Sequence, residues 1–382
     1  MRSLQRSLRS LAAKRPGALG LPFLAAARLL GAVGGIVTAG NAQAAELPED
    51  RADLMYHRYD GGGVEAHGPA LLVRKNLLKK VSLSALYYAD IVSNASIDVV
   101  TSASPYDETR HEYGFGVDYA VRDSLITLTA SHSTEPDYTA DSFSLDIAQE
   151  FFSGMSTASI GYTYGSDDVG KVNEGFFDQA KHWRYRLGLT QILTPSWLAS
   201  ANFEIVSDDG FLGSPYRTAR VFGAAVPERV PRTRTSRAAK LRVIGEVFPT
   251  WSARAEYRYF WDTWEIKAHT FDVGVSHRFG EQWLVDGYLR NYRQTGALFY
   301  SDNATSETVY VSRNRQLSSY DSIVLGAKAT YTWIRVPGRY EVRLHGAIER
   351  TQTYFDDFTD VRTGSLYSYN ATVLQLLVSA SF

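Results

Sequence analysis

Arg184, Arg186, Glu204, Lys240, Arg242, Glu246, Arg254, Glu256, Arg258, Arg339, Glu341, Arg343 and Glu349 occupy alternate positions in the stretches that hold them, with apolar residues between. In "WSARAEYRYFWDTWEI", Trp251, Ala253, Ala255, Tyr257, Tyr259 and Trp261 form one set. Ser252, Arg254, Glu256, Arg258, Phe260 and Asp262 form the other. Charges arrayed this way can hold and hydrate a wall through a ladder of ion pairs. The same array can also steer an anionic or zwitterionic solute, because rings of side-chain charge set pore selectivity. The two readings are compatible.

Catalytic sets are harder to find. The sequence has no His-Glu-x-x-His helix, no Gly-rich phosphate loop and no Cys nucleophile. The eight His and the many Ser could form a Ser-His-acid set only through tertiary proximity. His132 and His277 fall near predicted strand ends, where an interface role suits a histidine. The pairs Asp167–Asp168, Asp208–Asp209 and Asp356–Asp357 offer oxygen ligands of the kind Ca²⁺ takes, but none has full calcium-loop spacing, and each is read as solvated loop. No cofactor or metal is expected.

The elements that carry the charges are strands. Period-two alternation recurs in segments of about 10 residues. It runs through Trp183–Leu189, Trp197–Ile205, Leu241–Val247 and Tyr340–Ile348, and again through 113–121, 143–151 and 323–333. The first strand is placed at 53–60. Short connections carry turn residues in "VRDS", "FSG", "TPS", "FPT", "FGE" and "VPG". Between them, 93–110, 165–181, 207–237, 295–319 and 354–367 are read as longer polar loops. Short turns alternating with long loops predict an all-β, antiparallel up-and-down transmembrane barrel of about 16 strands, occupying residues 45–382.

Turn pairing refines this reading. A hairpin about "FPT" would bring Val247 to Ala253, Val243 to Tyr257 and Glu246 to Arg254. One about "TPS" would bring Arg186 to Glu204. A soluble β-sandwich would need a dry apolar core. Here the apolar faces are rich in Ala and Gly at mid-strand with Trp or Tyr at the ends, which suits lipid chains and a headgroup-level belt.

Composition agrees. The formal net charge of −1 implies no pull toward nucleic acid, and mean hydropathy of −0.22 argues against a helical membrane protein. There are 24 Tyr, 18 Phe and 7 Trp, a load suited to an interface, and no Cys, which fits export through an oxidising compartment. Residues 1–44 read as an export signal: Arg2, Arg6, Arg9, Lys14 and Arg15 precede a run rich in Ala, Leu and Gly, and Ala42 and Ala44 supply small residues at the cleavage site. The final "YNATVLQLLVSASF" ends an amphipathic strand on Phe382, similar to the signal read by outer-membrane barrel-assembly machinery.

These features place the mature chain in the outer membrane of a Gram-negative bacterium, in contact with lipid and lipopolysaccharide. In that setting "YRTARVFGAAVPERVPRTRTSR", with Arg217, Arg220, Arg229, Arg232, Arg234 and Arg237 against Glu228, is read as a basic outer loop. It could fold into the pore as a constriction, bind lipopolysaccharide phosphates, or be simply solvated.

"YYADIVSNAS", "PRTR", "YRYFWDTWEIKAH" and "RNYRQTGALFY" resemble a bacterial family catalogued as domain of unknown function 3570. The resemblance implies an exported outer-membrane β-barrel protein, often encoded beside a flavin transferase, with no established ligand or functional residue. It leaves two expectations. One is a non-enzymatic conduit for small polar or anionic solutes. The other is a structural or partner-binding barrel with a plugged lumen, in an envelope complex for which the flavin-transferase neighbourhood suggests a flavin-linked periplasmic redox partner.

Overall fold

The structure, a computed structural model, describes residues 46–94, 96–97, 106–171 and 174–382. The expected export signal lies outside the described residues, as does much of the first expected loop. The strands are β1 (Arg51–Gly61), β2 (Val64–Leu78), β3 (Val81–Asn94), β4 (Tyr106–Val121), β5 (Ser124–Thr134) and β6 (Tyr138–Phe151). Then follow β7 (Ser156–Lys171), β8 (Glu174–Thr194), β9 (Trp197–Gly210), β10 (Thr218–Val221), β11 (Ala224–Pro227) and β12 (Thr233–Phe248). The last six are β13 (Trp251–Asp262), β14 (Lys267–Phe279), β15 (Trp283–Gln294), β16 (Tyr320–Val336), β17 (Tyr340–Asp360) and β18 (Ser365–Ser381).

Sixteen of these form one closed antiparallel barrel, each strand pairing with its neighbour in sequence. The exception is β9, which pairs directly with β12 because β10 and β11 form a separate hairpin in the loop between them. β1 pairs with β18, from Arg51↔Ser381 to Gly61↔Ala371, and closes the barrel. Closure removes the open sheet edge, which hydrocarbon could not satisfy.

Alternation sets the two faces. In β12, Ala238, Lys240, Arg242 and Ile244 are buried toward the interior, whereas Leu241 is 61 % exposed on the outside. The outer face continues through exposed Leu187, Leu189, Phe271, Leu325 and Leu376. Aromatics stand at both ends of this band. Trp251 stacks on His277 at 4.0 Å and Trp283 meets Tyr331 at 4.7 Å near the end where β1 begins and β18 finishes. Tyr164 meets Trp183 at 5.9 Å near the other. An apolar band girdled by aromatics on a closed barrel is the form that spans an outer membrane. The protein is therefore an outer-membrane barrel, with its short turns at the end where β1 begins and β18 finishes and its longer loops at the other, the end that barrels of this kind turn outward.

Several expectations change in detail. The first strand is two residues longer at its start and one longer at its end than 53–60. Segments 165–181 and 354–367 are mostly strand, because β7, β8, β17 and β18 continue past the apolar band as polar ribbon. The tightest outer connection is the Gly62–Gly63 turn between β1 and β2. There φ is 61° and 78°, the left-handed pair that a two-residue hairpin needs and that glycine adopts without strain.

Candidate functional site

The interior wall across β9, β12, β13 and β14 reads as rungs of directly paired residues. From outside inward these are Glu204–Ala238–Phe260–Ala268, then Asn202–Lys240–Arg258–Thr270, then Ser200–Arg242–Glu256–Asp272, then Leu198–Ile244–Arg254–Gly274. Lys240 Nζ lies 3.6 Å from Glu256 Oε2, and Arg242 Nε 4.0 Å from the same oxygen. Asp272 is shared by Arg254 Nε at 3.4 Å and Arg290 Nη2 at 3.0 Å. Cations outnumber carboxylates on this wall.

Glycines decide how long side chains lie along it. One rung reads Arg254–Gly274–Tyr288–Gly326–Glu349 across five strands. Arg254 lies across Gly274, with its guanidinium 5.3 Å from the Tyr288 ring centre, and Tyr288 lies across Gly326 to donate its hydroxyl to Glu349. A Cβ on Gly326 would stand 2.2 Å from Tyr288 Cζ. On the opposite arc Arg186 crosses Gly161 and donates to both carboxylate oxygens of Asp146, at 2.9 and 3.1 Å. Arg254, Tyr288 and Arg186 thus lie along the wall.

Arg186 and Glu204 are register partners, as the "TPS" hairpin predicts. Their side chains nevertheless turn elsewhere: Arg186 to Asp146, and Glu204 to Arg184 at 3.8 Å. The "FPT" expectation is corrected. A bulge between Glu246 and Phe248 moves the pairing by two residues, so Glu246 meets Ser252, Arg254 meets Ile244, and Val243 meets Ala255. The face is unchanged because the shift is even. Arg339 is also corrected: it lies exposed in the periplasmic turn between β16 and β17, donating its N–H to Val336 O, rather than on the inner wall. Glu341 accepts from Arg343 and Arg335, both at 2.8 Å, near the same end. Phe382 follows β18 directly, its N–H donating to Asp50 O at 3.0 Å and its ring under Lys75 Nζ at 4.9 Å.

The outer mouth carries a folded cap. Its main part is loop 295–319, with a single 3-10 turn at Arg315–Leu317. Ala297 and Leu317 pack on Ala238, Phe260, Trp264 and Ile266 of the β12–β14 wall. Val311, 1 % exposed, packs with Ala219 and Val221 of the β10–β11 hairpin. Arg313 lies 4.3 Å from the ring centre of Phe358, which is 0 % exposed, and Arg315 lies over Tyr367 and Tyr369. Tyr300 donates to Asp357 O at 3.0 Å, and burial, followed by Asp357 and Asp302, holds its phenol well above the ordinary range.

The expected basic loop is divided by the fold. Arg234 and Arg237 belong to β12, a correction that follows from strand continuation above the apolar band. Arg234 is paired with Asp262 and lies 4.4 Å from the Trp264 ring centre. Arg232 bonds Asp178 at 2.7 and 2.8 Å, Arg229 donates to Thr308 O at 2.9 Å, and Arg217 reaches Glu228 at 3.8 Å. The Arg220 carbonyl accepts from the Ala304 N–H at 2.9 Å. Glu228 also accepts from Ser312. The hairpin thus braces a cap that a different loop supplies.

The acidic pairs, expected in loops, are on strands. Asp167 and Asp208 hold His182 between them at 2.9 and 2.8 Å, Asp168 accepts from Gln179, and Asp357 accepts from the Ser319 N–H at 3.0 Å. A carboxylate cluster that the sequence reading missed, Glu108, Glu135 and Asp137, sits at the outer rim, where three strand ends converge. Burial and then Asp137 push Glu135 up, against Arg110. His132 meets Asp141 at 2.8 Å on the outer face.

The pattern of a family described as "Protein of unknown function (DUF3570)" matches residues 93–335. The chain belongs to this family. It is also similar to solved structures. A bacterial polysaccharide outer membrane secretin is 9% identical with a TM-score of 0.52, over 87% of this chain and 98% of that one. OpdK from Pseudomonas aeruginosa, solved with vanillate, is 10% identical with a TM-score of 0.44, over 88% and 100%. OmpT from Vibrio cholerae is 8% identical with a TM-score of 0.46, over 90% and 100%. No curated protein matches the sequence. At such identities the likeness concerns the fold.

Proposed function

We propose that this family member is a non-enzymatic conduit for small polar and anionic solutes, closed at rest by its outer cap. The observation that carries the reading is the cationic excess on the β12–β13 wall directly beneath the cap. Sixteen-stranded barrels have room for an aqueous channel, and inward charge sets which solutes enter it. The side chains that lie across the wall glycines support the same reading, since Arg254, Tyr288 and Arg186 are held along the wall.

The test is planar-bilayer conductance of the refolded protein beside Val311→Asp. That substitution places an unpaired charge in the cluster seating the cap, at a cost that favours opening. Single-channel steps, more frequent or larger in the variant, are expected. Silence from both proteins, each shown to be folded by its resistance to unfolding in SDS before heating, would remove the conduit. The tight seating of Val311 and Phe358 would then favour a plugged, partner-binding barrel.

A further inference from the structure

The buried guanidinium of Arg242 has more donors than the wall gives it acceptors. It is 2 % exposed, and Nε, Nη1 and Nη2 all lack a hydrogen-bond partner among the described residues. Its nearest carboxylate oxygen, Glu256 Oε2, is 4.0 Å away and is also approached by Lys240. One rung outward Lys240 pairs directly with Arg258, whose Nε is likewise buried without a hydrogen-bond partner among the described residues. On the β9 side Ser200 stands opposite Arg242 and Asn202 opposite Lys240. Next above, Phe260 carries the Arg258 guanidinium 5.5 Å from its ring centre and is itself covered by Ala297 and Leu317 of the cap.

A buried guanidinium without acceptors is costly to hold, and neighbouring like charges add to the cost. An oxyanion at this point would satisfy the two guanidiniums, through the paired N–H geometry that suits carboxylate and phosphate, within the field of the Lys240 ammonium. We propose that Lys240, Arg242 and Arg258 form a binding site for the oxyanion group of a small solute, roofed by the cap and backed by Ser200 and Asn202. Glu256 sets its strength by partly neutralising the pocket. The proposal deepens the conduit reading and rests on it for the source of the solute, but the site can be occupied whether or not ions pass through.

The experiment is titration calorimetry on the detergent-folded full barrel, with inorganic phosphate and acetate as separate probes against chloride, beside the bilayer measurement. Saturable binding of at least one probe is expected. Phosphate alone would assign the site to phosphoesters and acetate alone to carboxylates. Arg242→Gln should weaken binding by about tenfold or more, the effect of losing a charge-assisted contact. Glu256→Gln, which keeps every proposed contact, should tighten it several-fold. Arg339→Gln, in the exposed turn, serves as the unchanged reference. Should Arg242→Gln fail to fold, Glu256→Gln decides. Binding of neither probe, or binding that ignores Glu256→Gln, overturns the site. Conductance without such binding leaves the conduit standing alone, and binding without conductance keeps the site and removes the conduit.

Discussion

Replacing Gly326 with Ala puts a carbon 2.2 Å from Tyr288 Cζ and 2.5 Å from both Cε1 and the hydroxyl oxygen. The ring cannot remain on the wall. Leaving it breaks the hydroxyl's bond to Glu349, a contact to a charged acceptor worth roughly 1.5–3 kcal/mol. Overpacking adds about 1–3 kcal/mol, and the better strand propensity of Ala returns roughly 0.5–1 kcal/mol. The net expectation is a loss of about 2–4 kcal/mol. Gly287, on the neighbouring strand and the outer face, has nothing within 4 Å of its added Cβ, so Gly287→Ala should be neutral or slightly stabilising. Both can be measured by urea unfolding of protein refolded into phospholipid vesicles, followed by Trp fluorescence. A gap of about 3 kcal/mol is two decades in the unfolding constant. In a double-mutant cycle with Tyr288→Ala, the cost of Ala at 326 should largely vanish. Equal stabilities for Gly326→Ala and Gly287→Ala, or a cost that survives Tyr288→Ala, would refute the argument that empty glycine positions hold these side chains flat.

Two further outcomes follow from the rim and the outer face. Glu135 titrates above its ordinary range, so its folded form takes up a proton more readily than the unfolded chain; its contribution is complete below the unfolded value and is lost as pH rises through the folded one. Glu135→Gln should therefore slow hydrogen exchange around 131–140 at pH 7 and make little difference at pH 4, and equal protection at pH 7 would count against it. On the outer face of β12, Leu241→Arg should cost about 2–4 kcal/mol in the same vesicle assay, the charge of an arginine at bilayer mid-depth. A cost near zero there would mean that this face does not meet hydrocarbon.

The sequence revealed the barrel because alternation with period two follows directly from the pleat, and lipid on one side with water on the other enforces it without interruption. It lost precision where that enforcement ends. Asp167, Asp208 and Arg234 lie on strands that have left the apolar band, so polar residues on both faces read as loop. At "FPT" the turn and the face were legible, but the bulge after Glu246 carries no compositional mark, and a two-residue slip leaves the pattern intact. A constriction is one of three readings open to the arginine-rich segment, beside phosphate binding and a solvated loop, whereas loop 295–319 supplies the cap. Its seating depends on single residues, Leu317 meeting distant wall positions and Val311 the β10–β11 hairpin, and no periodicity announces such contacts. The basic wall was visible as alternating charge. Which cations share a carboxylate was not, because Arg254 lies across Gly274 of the neighbouring strand and reaches Asp272 beside it.

The seam between β1 and β18 has a consequence for how the molecule comes into being. Asp53 and Ser379, joined there by a 2.5 Å bond, are 326 positions apart, and the Phe382 N–H fastens the very end of the chain to Asp50. Until those last residues arrive, both margins carry backbone groups that hydrocarbon cannot satisfy. Closing this seam satisfies both margins at once, through the most remote strand pairing among the described residues, the kind of contact that is slowest to find.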